Sequence, residues 1–354
     1  MTANLVFRAG PAAFAAIREN GFDPALFGTL AGASGGAKWL VLSQLDRVVA
    51  ADLLPKLEAP VHTLGTSIGA WRFACYAQRD PFAAIERFEE AYIEQSYSEK
   101  PDRDEITQKS GAILDAVISD AAVADILAHP VLRMHVMTVR SRHALNSEST
   151  AMLAAGLGAT AALNTLSRRS LGLFFERALF YDPRSLPPFF DVRGFPLQKI
   201  ELNGDNLKPA VLATGSIPLV LRGVRDIPGA RPGVYRDGGV IDYHLDLPKS
   251  DRGRLTLYLH FYDFLKPGWF DKGLAWRRAS AANTEHTLLI SPSAAFVQRL
   301  PNRKIPDRHD FVRYPHAERV RAWRRAVREC RALADEFHDV LETGRLPERL
   351  EPLS

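Results

Sequence analysis

The sequence predicts an α/β protein with a mostly parallel central sheet. Helical and strand patterns alternate along the first hundred residues, and two of the strand patterns end in glycine-rich turns that open the next helix. The composition agrees with a folded chain, since hydrophobic residues make up 46% and charged residues 24% of the 354 residues, as in soluble globular proteins. Disorder, collagen and a coiled coil are therefore excluded as the main state.

Local patterns predict the individual elements of this alternation. Residues 10–20 contain an early Pro and are followed by Gly21, which is typical of a helix. Phe27 to Ala31 is a short apolar run that leads into a glycine cluster, and Val61 to Leu64 is a β-branched strand candidate that stops at Gly65. The spacing of apolar residues predicts the remaining elements: helices over 38–54, after 69, over 81–93, over 151–179 with a break near 167–169 and over 319–341, and strands over 131–139 and 254–261.

Charge and cysteine content narrow the function classes. The net charge of +4 is too small to indicate a nucleic-acid partner. The two cysteines, Cys75 and Cys330, lie too far apart for a disulfide framework or a zinc ribbon. The start of the chain lacks the segments of a signal peptide, so we expect a cytoplasmic protein. Because HExxH, GxGxxG and GxxxxGK[ST] are absent from the sequence, no metal and no nucleotide cofactor is expected.

The motif Gly-x-Ser-x-Gly occurs twice, at 32–36 around Ser34 and at 65–69 around Ser67. Each copy alone is a weak signal. A serine in a sharp turn between a strand and a helix exposes its hydroxyl, and the flanking glycines allow the close approach of the two elements. The two motifs therefore identify two candidate nucleophiles.

The context of each serine indicates a different task. Ser67 follows the better strand and directly precedes a helix, so we interpret it as the nucleophile. Ser34 lies in a run of small residues that opens a helix, where free backbone N–H groups can hold an anion. We therefore predict that Gly35, Gly36 and Ala37 supply the amides of an oxyanion hole. A turn serine, or for the first site a helix N-cap, is the structural alternative.

The general base is predicted in the sequence Asp237-Gly238-Gly239, where a short strand delivers the aspartate to a glycine turn. An aspartate of ordinary pKa is a weak base, so the site has to raise that pKa or pair the carboxylate closely with the serine. A plain turn is the alternative. His62, His244 and His260 each lie beside a strand end or a glycine turn and are rival bases, and no spacing singles out any of them.

Taken in order, these motifs resemble the patatin-like phospholipase family. The resemblance is carried by 34–38, 65–70 and 237–239, and it extends to the segments 213–218 and 242–248. It covers about residues 28–95 and 205–262.

The family implies a three-layer α/β/α fold and a Ser–Asp dyad without histidine. Carried over to this chain, Ser67 is the nucleophile, Asp237 is the general base, and Gly35, Gly36 and Ala37 are the oxyanion donors. The resemblance thus places Ser34 in the oxyanion loop.

This chain departs from the family pattern at three positions near the predicted site. Ser34 and Trp39 replace glycines of the oxyanion loop, and Ile68 stands where a smaller residue is usual. Bulk at Trp39 and Ile68 is expected to narrow the acyl pocket or to reshape the loop. These departures affect the prediction of the substrate type more than the prediction of the Ser67–Asp237 dyad.

The domain organisation follows from this assignment. Residues 1–354 are expected to form a single catalytic domain. Residues 140–196 form a candidate cap over the acyl pocket. The apolar residues 151–179 within this region could instead form a pair of helices in the protein core. Residues 315–344 are expected to form a C-terminal helical segment.

The predicted function is that of a serine acyl hydrolase acting on carboxylic esters of lipids. An acyltransferase and an intracellular polyester depolymerase use the same dyad and remain alternatives. A catalytically silent lipid-binding module is a rival from another class, and labelling by a fluorophosphonate separates it from the active enzymes. A histidine-dependent α/β-hydrolase remains a further rival.

The expected partners are a lipid or ester substrate and, as a second candidate, an anionic membrane surface. A basic amphipathic helix can lie on anionic lipid, although packing of the same helix on the core is the alternative. The oligomeric state is not predicted. The basic residues of that helix are Arg319, Arg321, Arg324, Arg325, Arg328 and Arg331.

Overall fold

A computed structural model describes residues 3–353 and shows a three-layer α/β/α arrangement, with a central, mostly parallel sheet flanked by helices. Within these residues eleven strands form one sheet. The strands are β1 (Leu5–Ala9), β2 (Phe27–Gly32), β3 (Val61–Gly65), β4 (Leu132–Ser141), β5 (Phe175–Tyr181), β6 (Leu197–Glu201), β7 (Val224–Arg225), β8 (Val234–Asp237), β9 (Leu255–Leu259), β10 (Thr287–Pro292) and β11 (Leu350–Pro352).

The helices of the described chain range from single turns to nearly five turns in α7. They are α1 (Pro11–Asn20), α2 (Ser43–Val48), α3 (Ile68–Tyr76), α4 (Pro81–Glu94), α5 (Arg103–Val117), α6 (Asp120–Ala128), α7 (Thr150–Leu166), α8 (Leu171–Phe174), α9 (Leu207–Thr214), α10 (Ala281–Thr284), α11 (Ala294–Val297), α12 (Asp310–Arg313), α13 (His316–Glu329), α14 (Arg331–Glu342) and α15 (Leu346–Arg349).

The strand order brings the two glycine turns together. The strands β10, β9, β2, β3 and β4 are neighbours in this order, and all of them run parallel. Antiparallel pairs flank this centre, because β1 runs against β10 and β4 runs against both β5 and β8. Parallel neighbours end on the same edge of a sheet, so the turns after β2 and β3 lie side by side at their carboxyl ends.

The segment 38–54, predicted as one helix, is helical but irregular. It begins as a 3₁₀ turn over Gly36–Val41, continues as α2 and ends in a π-helical turn over Val49–Leu53. Apolar residues spaced three and four apart satisfy all of these windings, so the spacing alone cannot distinguish them.

The prediction of helix over 151–179 is wrong for its last part. The chain is helical in α7 and α8, but residues 175–181 form β5, which pairs with β4 and β6. β5 is buried along nearly its whole length. A strand covered on both faces has an apolar run instead of an alternating pattern, and such a run resembles a buried helix.

The amphipathic segment 319–341 forms two helices, α13 and α14, that meet at Cys330. The first packs against α4 and the second against α2. Arg319 is buried and donates to the carbonyls of Ile93 and Gln95, and Arg324 pairs with glutamates of α4. The other four arginines of the segment are exposed, and their contact with an anionic membrane stays a prediction.

No helix within residues 3–353 is both long enough and apolar enough to cross a membrane.

Candidate active site

Ser67 lies in a strained turn between β3 and α3. Its backbone has φ 51° and ψ −129°, a conformation that side-chain-bearing residues rarely adopt. Such a conformation turns the side chain away from the path of the chain, as in the nucleophile turns of hydrolases. The residue is only 6% exposed, and it lies in the wall of a cavity that is partly open to solvent.

The two flanking glycines are required by the close approach of backbones. A Cβ on Gly65 would lie 2.3 Å from the nitrogen of Ala70, and a Cβ on Gly69 would lie 2.1 Å from the carbonyl oxygen of Gly32. Both distances are far below van der Waals contact. The amide of Thr66 also donates to the oxygen of Gly32, at 3.1 Å. The turn after β3 is therefore held directly against the end of β2.

The end of α9 and the loop that follows it connect the serine to the aspartate. The hydroxyl of Thr214 accepts from the amide of Ser67 at 2.9 Å and donates to the carbonyl of Met137 at 2.5 Å. The carbonyl of Ser216, two residues further on, accepts from the amide of Asp237 at 3.0 Å. Sequence reasoning covered this segment only through the family resemblance and assigned no role to Thr214.

Asp237 ends β8 and is buried beside both candidate serines. Its Oδ1 accepts from the amide of Gly239 at 2.7 Å and from the hydroxyl of Ser34 at 3.4 Å. Burial raises the pKa of Asp237 to about 6, although hydrogen bonding by Ser67, Gly239 and Ser34 and the charge of Lys272 oppose the rise. The carboxyl is therefore a stronger base than an ordinary aspartate.

A second buried carboxylate fixes the chain after Asp237. Asp242 accepts two hydrogen bonds of 2.7 Å from Arg177 of β5, and both side chains are buried. The backbone oxygen of Asp242 accepts from the hydroxyl of Thr66 in the serine turn. The ion pair therefore holds the turn after Asp237 against the turn that carries Ser67.

The predicted oxyanion loop lies beside the serine, but its members differ in position. Gly36 has φ 55° and lines the cavities at Ser67, and Gly35 lines the larger one. Ala37 is completely buried and lines neither. Within residues 3–353 the amides of Gly35, Gly36 and Ala37 donate to no side chain and to no loop carbonyl. Gly36 and Ala37 begin a helical turn, where amides have no intrahelical acceptor.

Two cavities meet at Ser67. The smaller has a volume of about 330 Å³, and the larger has a volume of about 530 Å³. We call the first the apolar cavity, because aliphatic and aromatic side chains dominate its wall, and the second the basic cavity. The apolar cavity is lined by Ile68, Trp71, Ile106, Ile113, Leu212, Val220, Leu221 and Phe311, among others. The basic cavity holds Asp237, Ser34, Lys38, Lys272 and Arg308 in its wall.

The predicted departures from the family pattern have different surroundings. Ile68 lines the apolar cavity, whereas Trp39 is buried away from both cavities and stacks on Phe88 with 4.3 Å between the ring centroids. Among the described residues, the cavity walls contain none from the candidate cap 140–196. The role of that segment as a cap stays a prediction.

The three rival histidines lie outside both cavities. His62 contacts His135, with 2.9 Å between ring nitrogens. His244 and His260 pack edge to face, and burial lowers the pKa of His260 to about 3. His309, which sequence reasoning did not identify, lines both cavities.

Several other wall residues carry no motif and were also missed. Lys272, Arg308 and His309 come from loops distant in sequence from both serines, and their neighbours form no recognisable pattern.

In the described part of the chain, no three His, Cys, Asp or Glu side chains are grouped as metal ligands.

Comparison with known proteins finds no family or curated relative that identifies the function of this chain. No protein-family model matches the chain, and no curated protein matches it. Among solved structures, VipD from Legionella pneumophila has a TM-score of 0.32 and 12% identity, covering 68% of this chain. The chain spans about half of the VipD chain, at 51%. The likeness to the patatin-like phospholipase family therefore stays a prediction from motifs, and the chemistry of the site rests on its own residues.

The contact between the two glycine turns gives a stability prediction. Gly69→Ala forces its Cβ against the carbonyl of Gly32, so we expect it to lower the free energy of unfolding by about 1–3 kcal/mol. Urea denaturation measures the change.

Gly158→Ala is the matched control for this substitution. Gly158 lies in α7 and has nothing within 4 Å of its Cβ position, so alanine is expected to add about 0.5–1 kcal/mol. Equal stability of Gly69→Ala and the unsubstituted protein would show that the turns are not in contact.

Proposed function

We propose that the protein is a serine acyl hydrolase that cleaves carboxylic esters of lipids. The observation that carries this proposal is the shared cavity of Ser67 and Asp237. A serine in a strained strand-to-helix turn faces the same space as a buried carboxyl whose pKa is raised. This combination supplies a nucleophile and a base without a histidine.

The reaction proceeds through an acyl-enzyme. The Oγ of Ser67 attacks the ester carbonyl carbon while its proton passes to the carboxylate of Asp237. The tetrahedral intermediate collapses, and the alcohol leaves with that proton. Water, deprotonated by Asp237, then attacks the acyl-enzyme, and the acid is released as the proton returns to Ser67.

The negative charge on the intermediate requires donors at a fixed position. The amides of Gly35 and Gly36 are the candidates, since they lie at the cavity and have no acceptor in the loops or side chains of residues 3–353. Ala37 is completely buried, and its amide as a third donor stays a prediction. Fixed dipoles of this kind stabilise the transition state without the cost of reorganising water.

The apolar cavity supports a substrate with a hydrocarbon acyl group. Its wall is mainly aliphatic and aromatic, with Ile68, Trp71 and Leu212 among its members, and it reaches Ser67; Arg308 is the charged side chain in that wall. Burying methylene groups there contributes roughly 0.8 kcal/mol each. Esters with longer acyl chains are therefore expected to react better until the cavity is full.

Substitution of the dyad tests the proposal. We expect Ser67→Ala and Asp237→Asn to lower kcat/KM for p-nitrophenyl esters by at least about a thousandfold, because they remove the nucleophile and the base. Ser34→Ala is expected to retain most activity, because its hydroxyl only supports Asp237 at 3.4 Å. Steady-state hydrolysis over a series of acyl lengths measures these effects.

His309→Ala provides the control for a histidine mechanism. His309 is the histidine found in both cavity walls, and we expect its removal to cost less than about tenfold. An inactive His309→Ala together with an active Asp237→Asn would replace the dyad with a Ser–His mechanism. An inactive Ser34→Ala with an active Ser67→Ala would exchange the two serines.

The raised pKa of Asp237 predicts an acid limit to activity. The base must be ionised, so kcat/KM is expected to fall tenfold per pH unit below a midpoint of about 6. An ordinary aspartate would put this midpoint near 4. The dependence of kcat/KM on pH for a neutral ester measures this midpoint. A midpoint near 4 would contradict the raised pKa of the buried carboxyl.

A further inference from the structure

Three basic side chains in the basic cavity have no acidic partner. Lys38, Lys272 and Arg308 all contribute to its wall. Among residues 3–353 none of the three forms a salt bridge, and none donates a side-chain hydrogen bond. Lys38 is half-buried, and Lys272 and Arg308 are exposed, so the three charges line the cavity and are also accessible from solvent.

The nearest acidic residues are already occupied. Asp307 accepts from Lys304 at 2.8 Å, and Asp310 forms a second salt bridge with the same lysine at 2.5 Å. Asp237, the other carboxyl in this wall, accepts from the amide of Gly239, and its charge also attracts Lys272 without a salt bridge between them. Three basic side chains therefore line a space that contains Asp237 and Asp307, and none of the three forms an ion pair with either carboxyl.

The two ammonium groups contact aromatic rings instead of anions. The Nζ of Lys272 lies 3.7 Å from the centroid of Tyr243, and that of Lys38 lies 5.7 Å from Phe261. Loss of water in the cavity and the charges of Lys38 and Arg308 lower the pKa of Lys272 to about 7, although the charge of Asp237 opposes the fall. Burial also lowers the pKa of Lys38. A bound anion would relieve this repulsion.

The cavities are arranged so that one ester can occupy both. The two spaces join at Ser67, because their walls share Gly36, Ser67, Tyr92, Ile217, Arg308 and His309. An acyl chain in the apolar cavity leaves the alcohol part of the ester in the basic cavity.

We infer that Lys38, Lys272 and Arg308 form a binding site for an anionic group, a carboxylate or a phosphate, on the alcohol part of the ester. That the ligand is an ester rests on the proposed hydrolase function. That it carries an anionic group rests on the three basic side chains, which form no salt bridge within residues 3–353. Lys272 is then a specificity-determining residue that favours charged over neutral esters.

Matched soluble esters test the charge preference. The probes are 4-(butanoyloxy)benzoate, 4-(butanoyloxy)phenyl phosphate and the neutral methyl 4-(butanoyloxy)benzoate, with release of the phenol followed by absorbance. We expect a higher kcat/KM for the charged esters. The relative rates of the first two distinguish a carboxylate from a phosphate. Hexadecanoyl analogues in detergent micelles distinguish a lipid headgroup from a small soluble ester.

Substitution of Lys272 tests the residue. Lys272→Met is expected to lower the ratio of kcat/KM between charged and neutral esters about tenfold, since a charge-assisted hydrogen bond is lost. Lys272→Arg is expected to retain most of the ratio. Lys56→Met removes an exposed lysine that lies outside both cavities, and the ratio should not change.

Binding without turnover separates this inference from the proposed function. In Ser67→Ala, calorimetric titration with 4-hydroxybenzoate and with phenyl phosphate is expected to show binding that Lys272→Met weakens about tenfold. Binding with this loss but without hydrolysis by the unsubstituted protein would support the anion site and overturn the hydrolase.

The opposite outcomes overturn the anion site. They are hydrolysis with equal preference for charged and neutral esters, or equal loss of both activities in Lys272→Met. The second result would mean that Lys272 acts on Asp237 instead of on substrate.

Discussion

The close contact between the turns after β2 and β3 is the constraint on which the rest of the site depends. With hydrogen in place of a side chain at Gly69, α3 can begin directly against the carbonyl of Gly32. That contact brings the loop containing Gly35 and Gly36 beside Ser67. It also fixes the amide of Thr66 on the oxygen of Gly32, and the amide of Ser67 donates to the side-chain hydroxyl of Thr214, so hydrogen bonds support the strained serine conformation. This backbone packing places the candidate nucleophile and the candidate oxyanion amides at one cavity.

The charged side chains on the two sides of the serine turn differ in their pairing. Behind it, Asp242 is fully paired with Arg177, and the pair holds the chain that follows Asp237. In front of it, Asp237 faces the cavity with a raised pKa, and Lys38 and Lys272 in the same wall form no salt bridge within residues 3–353. Unpaired charges persist in a folded protein only where the surrounding structure compensates for their cost, and they are concentrated at sites that bind or react. The contrast between the paired and the unpaired groups is the physical basis of the proposed chemistry.

The parts of this structure that were predictable from sequence are those determined locally. The α/β class and the β3–α3 unit followed from a β-branched strand, a glycine turn and helical spacing within a few residues. The strand β5 was missed because burial on both faces removes the alternation that marks a strand. Lys272, Arg308 and His309 were missed because tertiary folding alone brings their loops to Ser67. Thr214 has no signal beyond the family resemblance, since a single hydroxyl between two backbone groups leaves no pattern.

Identification of the residue that a fluorophosphonate modifies tests the central claim most directly. The reagent forms a covalent adduct only with a serine that its surroundings activate. Peptide mapping by mass spectrometry is expected to find close to one adduct per chain, on Ser67, with labelling abolished in Asp237→Asn. An adduct on Ser34, or no adduct on the folded protein, would contradict the account.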